Sequence, residues 1–262
     1  MLPIISSGLL AANKEISTIS NNISNANSTG FKRSTTEFQD IYAKTSDKTD
    51  NATTGMGTRN SGMRVNYSQG SLETTGLTLD LGISGYGFFV AEDPEDGGRS
   101  YTRDGSFSLN DKGQMITNTG KVLMSTTGEP ITIPFRLMDN DTSGQFLDVN
   151  SILIDARGEV SADYGTNVKL QLGQIGLARF RNINGLTQLG LNEFEANNLS
   201  GLPILGAPVD GVFGQIVQGS IEASNTSVSD EMVMMMRAQQ AFGASSRMMQ
   251  AEADIIGKFT NR

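Results

Sequence analysis

The sequence predicts a mixed α and β protein. Long N- and C-terminal helices are expected to pack together as an inner, coiled-coil-like domain, with an antiparallel all-β central domain. Two observations support this fold class. Apolar residues recur at alternating spacings of four and three near both ends of the chain, which is the period of a narrow helical stripe. Between the ends, short alternating or apolar runs are separated by turns that contain glycine, as in antiparallel sheets.

The first predicted element is an N-terminal helix within an expected segment of residues 1–42. Pro3 is tolerated in a first helical turn, because the N–H that it lacks would have no partner there. The helix is expected to end near Asn25, since Asn and Gly in residues 27–30 readily adopt left-handed backbone. The apolar stripe of this helix comprises Ile5, Leu9, Ala12, Ile16, Ile19 and Ile23.

Residues 43–67 form the second expected segment. As far as residue 62 this stretch is polar, contains glycine and lacks a clear period. Such composition predicts a flexible or partner-dependent segment. From Met63 onward, short alternating runs with turn residues between them begin, and they predict a central β domain over residues 68–222.

The last predicted element is a C-terminal helix within residues 223–262. Ser227 and Asp230 form a pair that resembles a capping box, and Glu231 adds negative charge near the positive end of the helix. The periodic pattern then continues to about Lys258, which is longer than most globular helices. The apolar stripe of this helix comprises Val228, Met232, Met235, Phe242, Met249 and Ile256.

Two features of the C-terminal stripe bear on its partner. Gln239 and Ser246 interrupt it, and methionine is concentrated at residues 232–236 and 248–249. The flexible thioether of methionine suits an interface that fits several slightly different neighbours, although an ordinary helical core face would have the same composition. Neither stripe can be buried by its own helix, so each is expected to serve as a partner interface.

The composition argues against several function classes. The net charge of −8 and the pI near 4.6 argue against nucleic acid as a partner, because phosphates require a basic surface. The chain contains no His and no Cys, so the commonest general base and the commonest metal ligands are absent. We therefore expect no enzymatic activity and no cofactor or metal.

The sequence also bears on membranes and export. No run approaches the roughly 18 apolar residues of a membrane span, so no direct span is expected. The first lysine is Lys14, so no basic region precedes the apolar residues as it would in a secretory signal. The 30 glycines, together with many Ser, Thr and Asn, nevertheless resemble the composition of an extracellular structural protein. This combination suggests a nonclassical export route.

Three stretches resemble chemical sites but are better explained as turns. Residues 139–144 resemble the first half of an EF-hand calcium loop, yet the twelfth position is Asn150 rather than the bidentate Glu that such a loop requires. Residues 93–96 contain three carboxylates in a stretch that also contains Pro and precedes two glycines, which is typical of a solvated hairpin tip. Residues 82–87 are rich in glycine, but no Lys-Ser/Thr pair for phosphate follows them.

Four blocks of the sequence resemble, in order, the signatures of the bacterial flagellar rod and hook proteins. The N-terminal signature spans residues 21–33, and its motif residues here are Asn21, Asn22, Asn25, Gly30, Phe31 and Lys32. The other blocks are Ser68-Gln69-Gly70 with residues 75–81 and 87–89, then residues 101–107, and finally residues 219–225 with Glu231-Met232 and residues 238–242. The resemblance covers nearly the whole chain.

The resemblance implies a structural rod subunit that assembles helically around the export channel and transmits torque from motor to hook. It implies copies of the chain, neighbouring rod and hook subunits, the flagellar type III export apparatus and the surrounding rings as partners. The expected location is the rod of the basal body, reached without a cleavable signal peptide. Helical rods form when subunits repeat by heterologous contacts that do not close into a ring.

The resemblance leaves the member of the family open. The chain length suits a rod protein, and the distal-rod protein is favoured over the proximal-rod protein. Residues 41–67 are shorter than a distal-rod insertion and contain Gly55-Met56-Gly57, which is similar to hook proteins. A short hook-type or other axial protein is therefore an alternative. A secreted, β-rich carbohydrate-active protein and a self-assembling adhesin or phage-tail component are alternatives from other classes.

Overall fold

The computed structural model describes residues 2–43, 54–138, 146–164 and 169–260. The chain divides into two compact units. The helical unit comprises Met1–Ala26, Lys32–Asn66 and Thr226–Arg262. The β unit comprises Asn27–Phe31 and Tyr67–Asn225. Both ends of the chain therefore belong to one unit, and most of the middle belongs to the other.

The described residues of the helical unit form two helices and two strands. In chain order these are α1 (Leu2–Ser24), β1 (Ser34–Ala43), β2 (Thr54–Val65) and α2 (Val228–Thr260). Helix α2 begins where the sequence predicts, because Ser227 Oγ accepts a hydrogen bond from the N–H of Asp230 (3.4 Å) as an N-cap does. Neither helix is both long enough and apolar enough to cross a membrane.

Helices α1 and α2 contact each other in antiparallel orientation. Near one end of the contact, Asn22 Nδ2 lies 3.2 Å from Glu231 Oε2. Near the other end, a Cβ built at Gly8 would lie 3.7 Å from Ser245 Oγ. Along the contact, residue numbers therefore increase in α1 as they decrease in α2. Small side chains at the contact allow the two backbones to approach closely.

The contact uses only part of the predicted C-terminal stripe. Ala238 is 2% exposed and Glu231 is fully buried, whereas Met232 remains 55% exposed. Ala238 and Ser245 each lie one position before the two residues that interrupt the predicted stripe. The side of α2 that faces α1 is therefore rotated by about one residue from the stripe of large apolar residues.

Strands β1 and β2 form a long antiparallel hairpin, with Ser34 opposite Val65 and Ala43 opposite Thr54. Part of the segment 43–67, which the sequence predicts to be flexible or partner-dependent, is strand β2. Its sequence contains three Gly, two Thr and two Arg, and most of the strand is exposed, so no alternating apolar pattern marks it. Residues 44–53 of that segment lie outside the described residues.

The β unit contains short strands throughout, as the turn spacing predicts. They are β3 (Leu72–Thr74), β4 (Leu81–Ser84), β5 (Phe88–Glu92), β6 (Arg99–Thr102), β7 (Ser108–Leu109), β8 (Met115–Ile116), β9 (Val122–Leu123), β10 (Arg136–Met138), β11 (Phe146–Asp148), β12 (Ser151–Ile154), β13 (Glu159–Asp163), β14 (Lys169–Gln174), β15 (Leu177–Arg179), β16 (Thr187–Gly190), β17 (Glu193–Glu195), β18 (Ile204–Gly206), β19 (Gln215–Gln218) and β20 (Ser220–Glu222).

All pairings between these strands are antiparallel. The largest sheet has the order β16-β17-β6-β5-β9-β8-β7, with β15 beside β5 and β18 beside β15. A second sheet has the order β12-β13-β14, and three strand pairs, β10-β11, β19-β4 and β20-β3, complete the described part of the unit.

Two apolar clusters form the core of the β unit. The larger cluster includes Leu81, Phe89, Ile133, Ile175 and Leu177, which are at most 1% exposed. The smaller cluster is aromatic: Phe88, Tyr101, Phe180 and Phe194 pack edge to face, with ring centroids 4.7–6.2 Å apart. The predicted fold class is thus confirmed at the level of a mostly β central region with a helix at each end of the chain.

Candidate assembly interface

In the helical unit, Asn22 fixes the chain as it leaves α1. Its Nδ2 donates to the carbonyl oxygen of Ser34 (2.8 Å), and its Oδ1 accepts from the N–H of Ser34 (3.0 Å). Asn22 is 1% exposed, so both bonds form in a buried setting where an unpaired amide would be costly. The side chain thereby holds the first residue of β1 against the end of α1.

The same asparagine reaches Glu231, which is the only fully buried residue described in α2. Glu231 Oε1 lies 2.8 Å from Arg33 Nε, and its Oε2 accepts from Asn22 Nδ2 (3.2 Å). Breaking a buried pair of this kind typically costs about 3–5 kcal/mol, because one charge is left uncompensated. The N-terminal and C-terminal signatures therefore meet in one buried polar cluster.

Among the other signature residues, Asn25 bonds to the last turn of α1. Asn25 Nδ2 donates to the carbonyl oxygen of Asn21 (2.9 Å) and to its Oδ1 (3.0 Å), so it bonds to a carbonyl in the last turn. Lys32 is 3% exposed, and Phe31 is half-buried. The carbonyl oxygen of Phe31 lies 3.5 Å from the N–H of Asn225.

Gly30 occupies a position in the β unit that other residues cannot occupy without strain. Its φ is +66°, and an added Cβ would lie 2.5 Å from the amide nitrogen of Asp104. Its N–H donates to the carbonyl oxygen of Glu222 (2.7 Å). Beside it, Thr29 Oγ1 donates to Asp104 Oδ1 (2.8 Å). The glycine of the signature is thus required by a close approach of two backbones.

A buried ion pair between Arg103 and Glu222 joins three signature blocks of the β unit. Arg103 Nη1 lies 2.9 Å from Glu222 Oε2, and the two side chains are 6% and 0% exposed. Glu222 Oε1 accepts from the N–H of Gly70 (2.9 Å), and Arg103 Nη2 donates to the carbonyl oxygen of Gly85 (2.8 Å). Burial lowers the pKa of Arg103, and the neighbouring carboxylate partly offsets that shift.

Gln69 and Asn225 complete this arrangement. Gln69 donates to the carbonyl oxygen of Ile83 (3.1 Å) and accepts from the N–H of Gly85 (3.0 Å), while Asn225 Nδ2 donates to the carbonyl oxygen of Ser68 (3.0 Å). Both residues belong to the signature blocks, but the sequence predicted no structural role for either of them. Glu222 could have indicated a structural role for this group of residues. It is an isolated charged residue that follows an apolar one in a stretch with few charges.

The structure places the predicted stripe residues unevenly. On α1, Ala12 and Ile19 are buried, and the other four stripe residues are half-buried. On α2, Met235 and Met249 are half-buried. The remaining four stripe residues of α2 are 36–55% exposed: Val228, Met232, Phe242 and Ile256.

The helical unit also exposes large apolar side chains outside the stripes. On the helices these are Ile4, Leu10, Val233, Met236, Met248, Ile255 and Phe259. On the hairpin they are Phe38, Ile41, Tyr42, Met56 and Met63. Single exposed apolar residues are normal on a protein surface, whereas large contiguous apolar patches are rare on proteins that stay monomeric.

Two of the three stretches that resemble chemical sites lie in described parts of the structure, and one does not. Residues 93–98 form the hairpin turn between β5 and β6, where Asp93 Oδ1 accepts from the N–H of Glu95 (3.0 Å). Residues 82–87 lie in β4 and in the turn that leads to β5. The stretch 139–144 lies outside the described residues. Within the described residues, no three carboxylates lie close enough together to hold a metal ion.

Three family models match separate parts of the chain. Residues 4–32 match the flagella basal body rod protein model, and residues 217–262 match the C-terminal model of the flagellar basal body rod FlgEFG proteins. Residues 82–162 match the D1 domain of the flagellar hook protein FlgE/F/G. Two of these regions contain Asn22 and Glu231 of the helical unit, and the third contains Arg103 of the β unit.

Relatives extend the match over nearly the whole chain. A flagellar basal-body rod protein FlgG from Borreliella burgdorferi is 33% identical over 97% of this chain and 95% of its own length. FlgG from Agrobacterium fabrum is 32% identical over 94% of this chain and 92% of its own length. The rod protein FlgF from Caulobacter vibrioides is 30% identical over 92% of this chain and 89% of its own length. The chain therefore belongs to the family of flagellar basal-body rod proteins, which includes the distal-rod protein FlgG, and it is a structural subunit of the flagellar rod.

Proposed function

We propose that this chain is the distal-rod subunit and that it assembles helically with copies of itself around the export channel. In this role it transmits torque from motor to hook and catalyses no reaction. The similarity to proteins named FlgG over almost their full length supports this assignment. The partners are neighbouring rod and hook subunits, with the export apparatus and the surrounding rings as further contacts. We propose that the chain is exported by the flagellar type III route.

The observation that supports assembly through the helical unit is the exposed part of the C-terminal stripe. Met232 and Ile256 are 55% and 46% exposed, although both belong to a regular apolar pattern. Their burial would contribute roughly 1 kcal/mol each, since complete burial of such side chains contributes about 1.5–3 kcal/mol. We propose that α1 and α2 of neighbouring copies cover these residues and complete a coiled-coil-like core.

The two sides of α2 are proposed to have separate roles. The side with Glu231, Ala238 and Ser245 packs on α1 of the same chain, where small and polar residues fix the register. The side with the large apolar residues is left for other copies. We propose that the large apolar residues of α2 pack on a different surface of the neighbouring copy, so that the contact is heterologous and propagates as an open helix. Several adaptable methionines on this side suit a rod in which neighbours are not all equivalent.

Substitution of Met232 by Asp tests the proposal. The exposed side chain makes little contact with α1, so Met232→Asp leaves the fold of the single chain intact. In the proposed interface the new carboxylate would be buried without a partner, and it should abolish rod assembly. The measurement is the number of rods in purified basal bodies by electron microscopy, together with the thermal unfolding of the β unit.

Ser20→Asp provides a matched control, because it adds the same charge at an exposed polar position of α1. Rods should form with this variant. Ile16→Asp and Met235→Asp should also abolish assembly while leaving the β unit folded. Normal rods with Met232→Asp, or loss of the β unit in any of these variants, would count against the proposed interface.

A further inference from the structure

The chain crosses from one of its units to the other four times, always at the border of a short segment of the β unit. We name three such segments the crossing segments: residues 27–31, 67–70 and 222–225. A force that follows the chain from the helices into the β unit therefore arrives first at the crossing segments.

The crossing segments are bonded directly to one another. The N–H of Gly30 donates to the carbonyl oxygen of Glu222 (2.7 Å), and Glu222 Oε1 accepts from the N–H of Gly70 (2.9 Å). Asn225 Nδ2 donates to Ser68 Oγ (3.1 Å) as well as to the Ser68 carbonyl oxygen. The last crossing segment thus binds the other two, although it is far from both in the sequence.

The second and third crossing segments also approach each other backbone to backbone. The N–H of Ala223 donates to the carbonyl oxygen of Ser71 (2.8 Å), which extends the antiparallel pairing of β20 with β3 beyond the two strands. A Cβ built at Gly70 would overlap the carbonyl oxygen of Ala223, so only glycine fits there. These two segments are therefore packed as closely as paired strands.

A buried cation ties the crossing segments to the core of the β unit. Arg103, which is paired with Glu222, also lies over the ring of Phe88, with its Cζ 5.3 Å from the ring centroid. Phe88 belongs to the aromatic cluster of the core. The ring quadrupole attracts a guanidinium in this position, most strongly where water is excluded. Arg103 thus links the third crossing segment to the aromatic cluster.

A strained turn holds the first crossing segment. Between β16 and β17, Leu191 and Asn192 have φ values of +51° and +61°, a region that asparagine tolerates and leucine rarely adopts. In this conformation Asn192 Nδ2 donates to the carbonyl oxygen of Thr29 (2.7 Å). Backbone strain persists only where the surrounding structure imposes it, and it is concentrated at functional sites.

The direction of the segments determines how they respond to force. Gly30 bonds to Glu222. Phe31, one residue later, bonds to Asn225, so residue numbers increase in the same direction along both segments. A pull at residue 27 and at residue 225 therefore acts on the two segments in opposite directions along their length. The bonds between the segments are then loaded together, and they resist a larger force than bonds that open one after another.

We infer that the crossing segments, with Glu222, Arg103 and Asn192, form a force-bearing clamp. Load that arrives through one crossing of the chain passes directly to another, and the apolar core of the β unit carries little of it. The inference rests on the proposed function, in which each subunit transmits torque. A role in bearing load differs from a role in stability, because it depends on the direction of the pull.

Single-molecule force spectroscopy on the whole chain tests the clamp. The chain contains no Cys, so a pair of introduced cysteines defines the direction of the pull. The clamp axis uses Asn27→Cys with Ser227→Cys, both at exposed positions. The control axis uses Leu153→Cys with Leu202→Cys, at positions of the β unit that are 59% and 89% exposed and lie outside the crossing segments.

Two variants weaken the clamp in different ways. Glu222→Gln leaves the charge of Arg103 unpaired and should lower the unfolding force along the clamp axis by roughly half, with a smaller effect along the control axis. Asn192→Gly removes the bond to Thr29 while glycine keeps the positive φ, so it should lower the force along the clamp axis with little change in Tm. Leu123→Ala is the matched control, because it removes a fully buried core side chain and should weaken the control axis more than the clamp axis.

The outcomes separate the clamp from the proposed function. The inference is wrong if Glu222→Gln weakens both axes equally, or if Leu123→Ala lowers the force along the clamp axis as much as Glu222→Gln does. If Glu222→Gln does not fold, Asn192→Gly decides, and an unchanged force along the clamp axis overturns the inference. These measurements use the isolated chain, so a negative result leaves the proposed assembly standing. Normal rods with Met232→Asp would instead overturn the proposed assembly and leave the measured clamp unaffected.

Discussion

Gly30→Ala is expected to destabilise the β unit strongly. Left-handed backbone costs a residue with a Cβ about 1–2 kcal/mol, and forcing extra volume into a packed site costs about 1–3 kcal/mol. The new Cβ would lie 2.5 Å from the nitrogen of Asp104, so the backbone must move and weaken the hydrogen bond to Glu222. The two costs add to about 2–5 kcal/mol. For a unit of this size that lowers Tm by roughly 10 °C.

Gly97→Ala is the matched control, because it separates the energetic cost of the left-handed backbone from the cost of the close contact. Gly97 has a φ of +67°, but a Cβ there would meet no atom within 4 Å. Gly97→Ala should therefore lower the free energy of unfolding only by the cost of left-handed backbone, about 1–2 kcal/mol. This corresponds to a fall in Tm of roughly 4 °C. Thermal unfolding monitored by near-ultraviolet circular dichroism measures the Tm of both variants. The signal reports on the β unit, since the chain contains no Trp and the buried Tyr101 and Tyr164 lie in that unit. Equal shifts for the two variants would refute the reasoning.

Two further predictions concern buried groups of the β unit. Glu222→Gln leaves the charge of Arg103 buried and should cost about 3–5 kcal/mol, whereas Asp148→Asn breaks an exposed pair with Arg136 and should cost less than about 1 kcal/mol. Comparable losses in urea titrations of the two variants would contradict this. Burial raises the pKa of Tyr67 from 10.0 to about 12, so the folded state retains the proton and stability should fall as pH rises from 10 toward 12. Tyr67→Phe should reduce this fall, and an unchanged pH dependence would show that another group is responsible.

The ends of the helices could be predicted from the sequence because local residues determine them. Ser227 caps α2 directly, and the positive φ of Gly30 follows the end of α1. Apolar periodicity was sufficient to predict the two helices. It could not predict which side of α2 packs on α1, because the contact uses small residues such as Ala238, whereas periodicity is defined by large ones.

Strand β2 and the buried polar clusters could not be predicted, for different reasons. The sequence of β2 has no alternation, and the strand forms because β1 provides a pairing edge. Glu231 could be recognised in the sequence only as a favourable charge near a helix start. Its burial depends on Asn22 and Arg33, which are about two hundred residues away in the chain. Such long-range pairs have no local pattern.

Hydrogen exchange measured by mass spectrometry on the isolated chain and on assembled rods tests the central claim most directly. In the isolated chain, α1 and α2 leave apolar residues in water and should exchange rapidly, while the β unit should be protected. In rods, both helices should become strongly protected, with little change in the core strands of the β unit. Equal protection of α1 and α2 in the isolated chain and in rods would contradict the claim that neighbouring copies complete the helical unit.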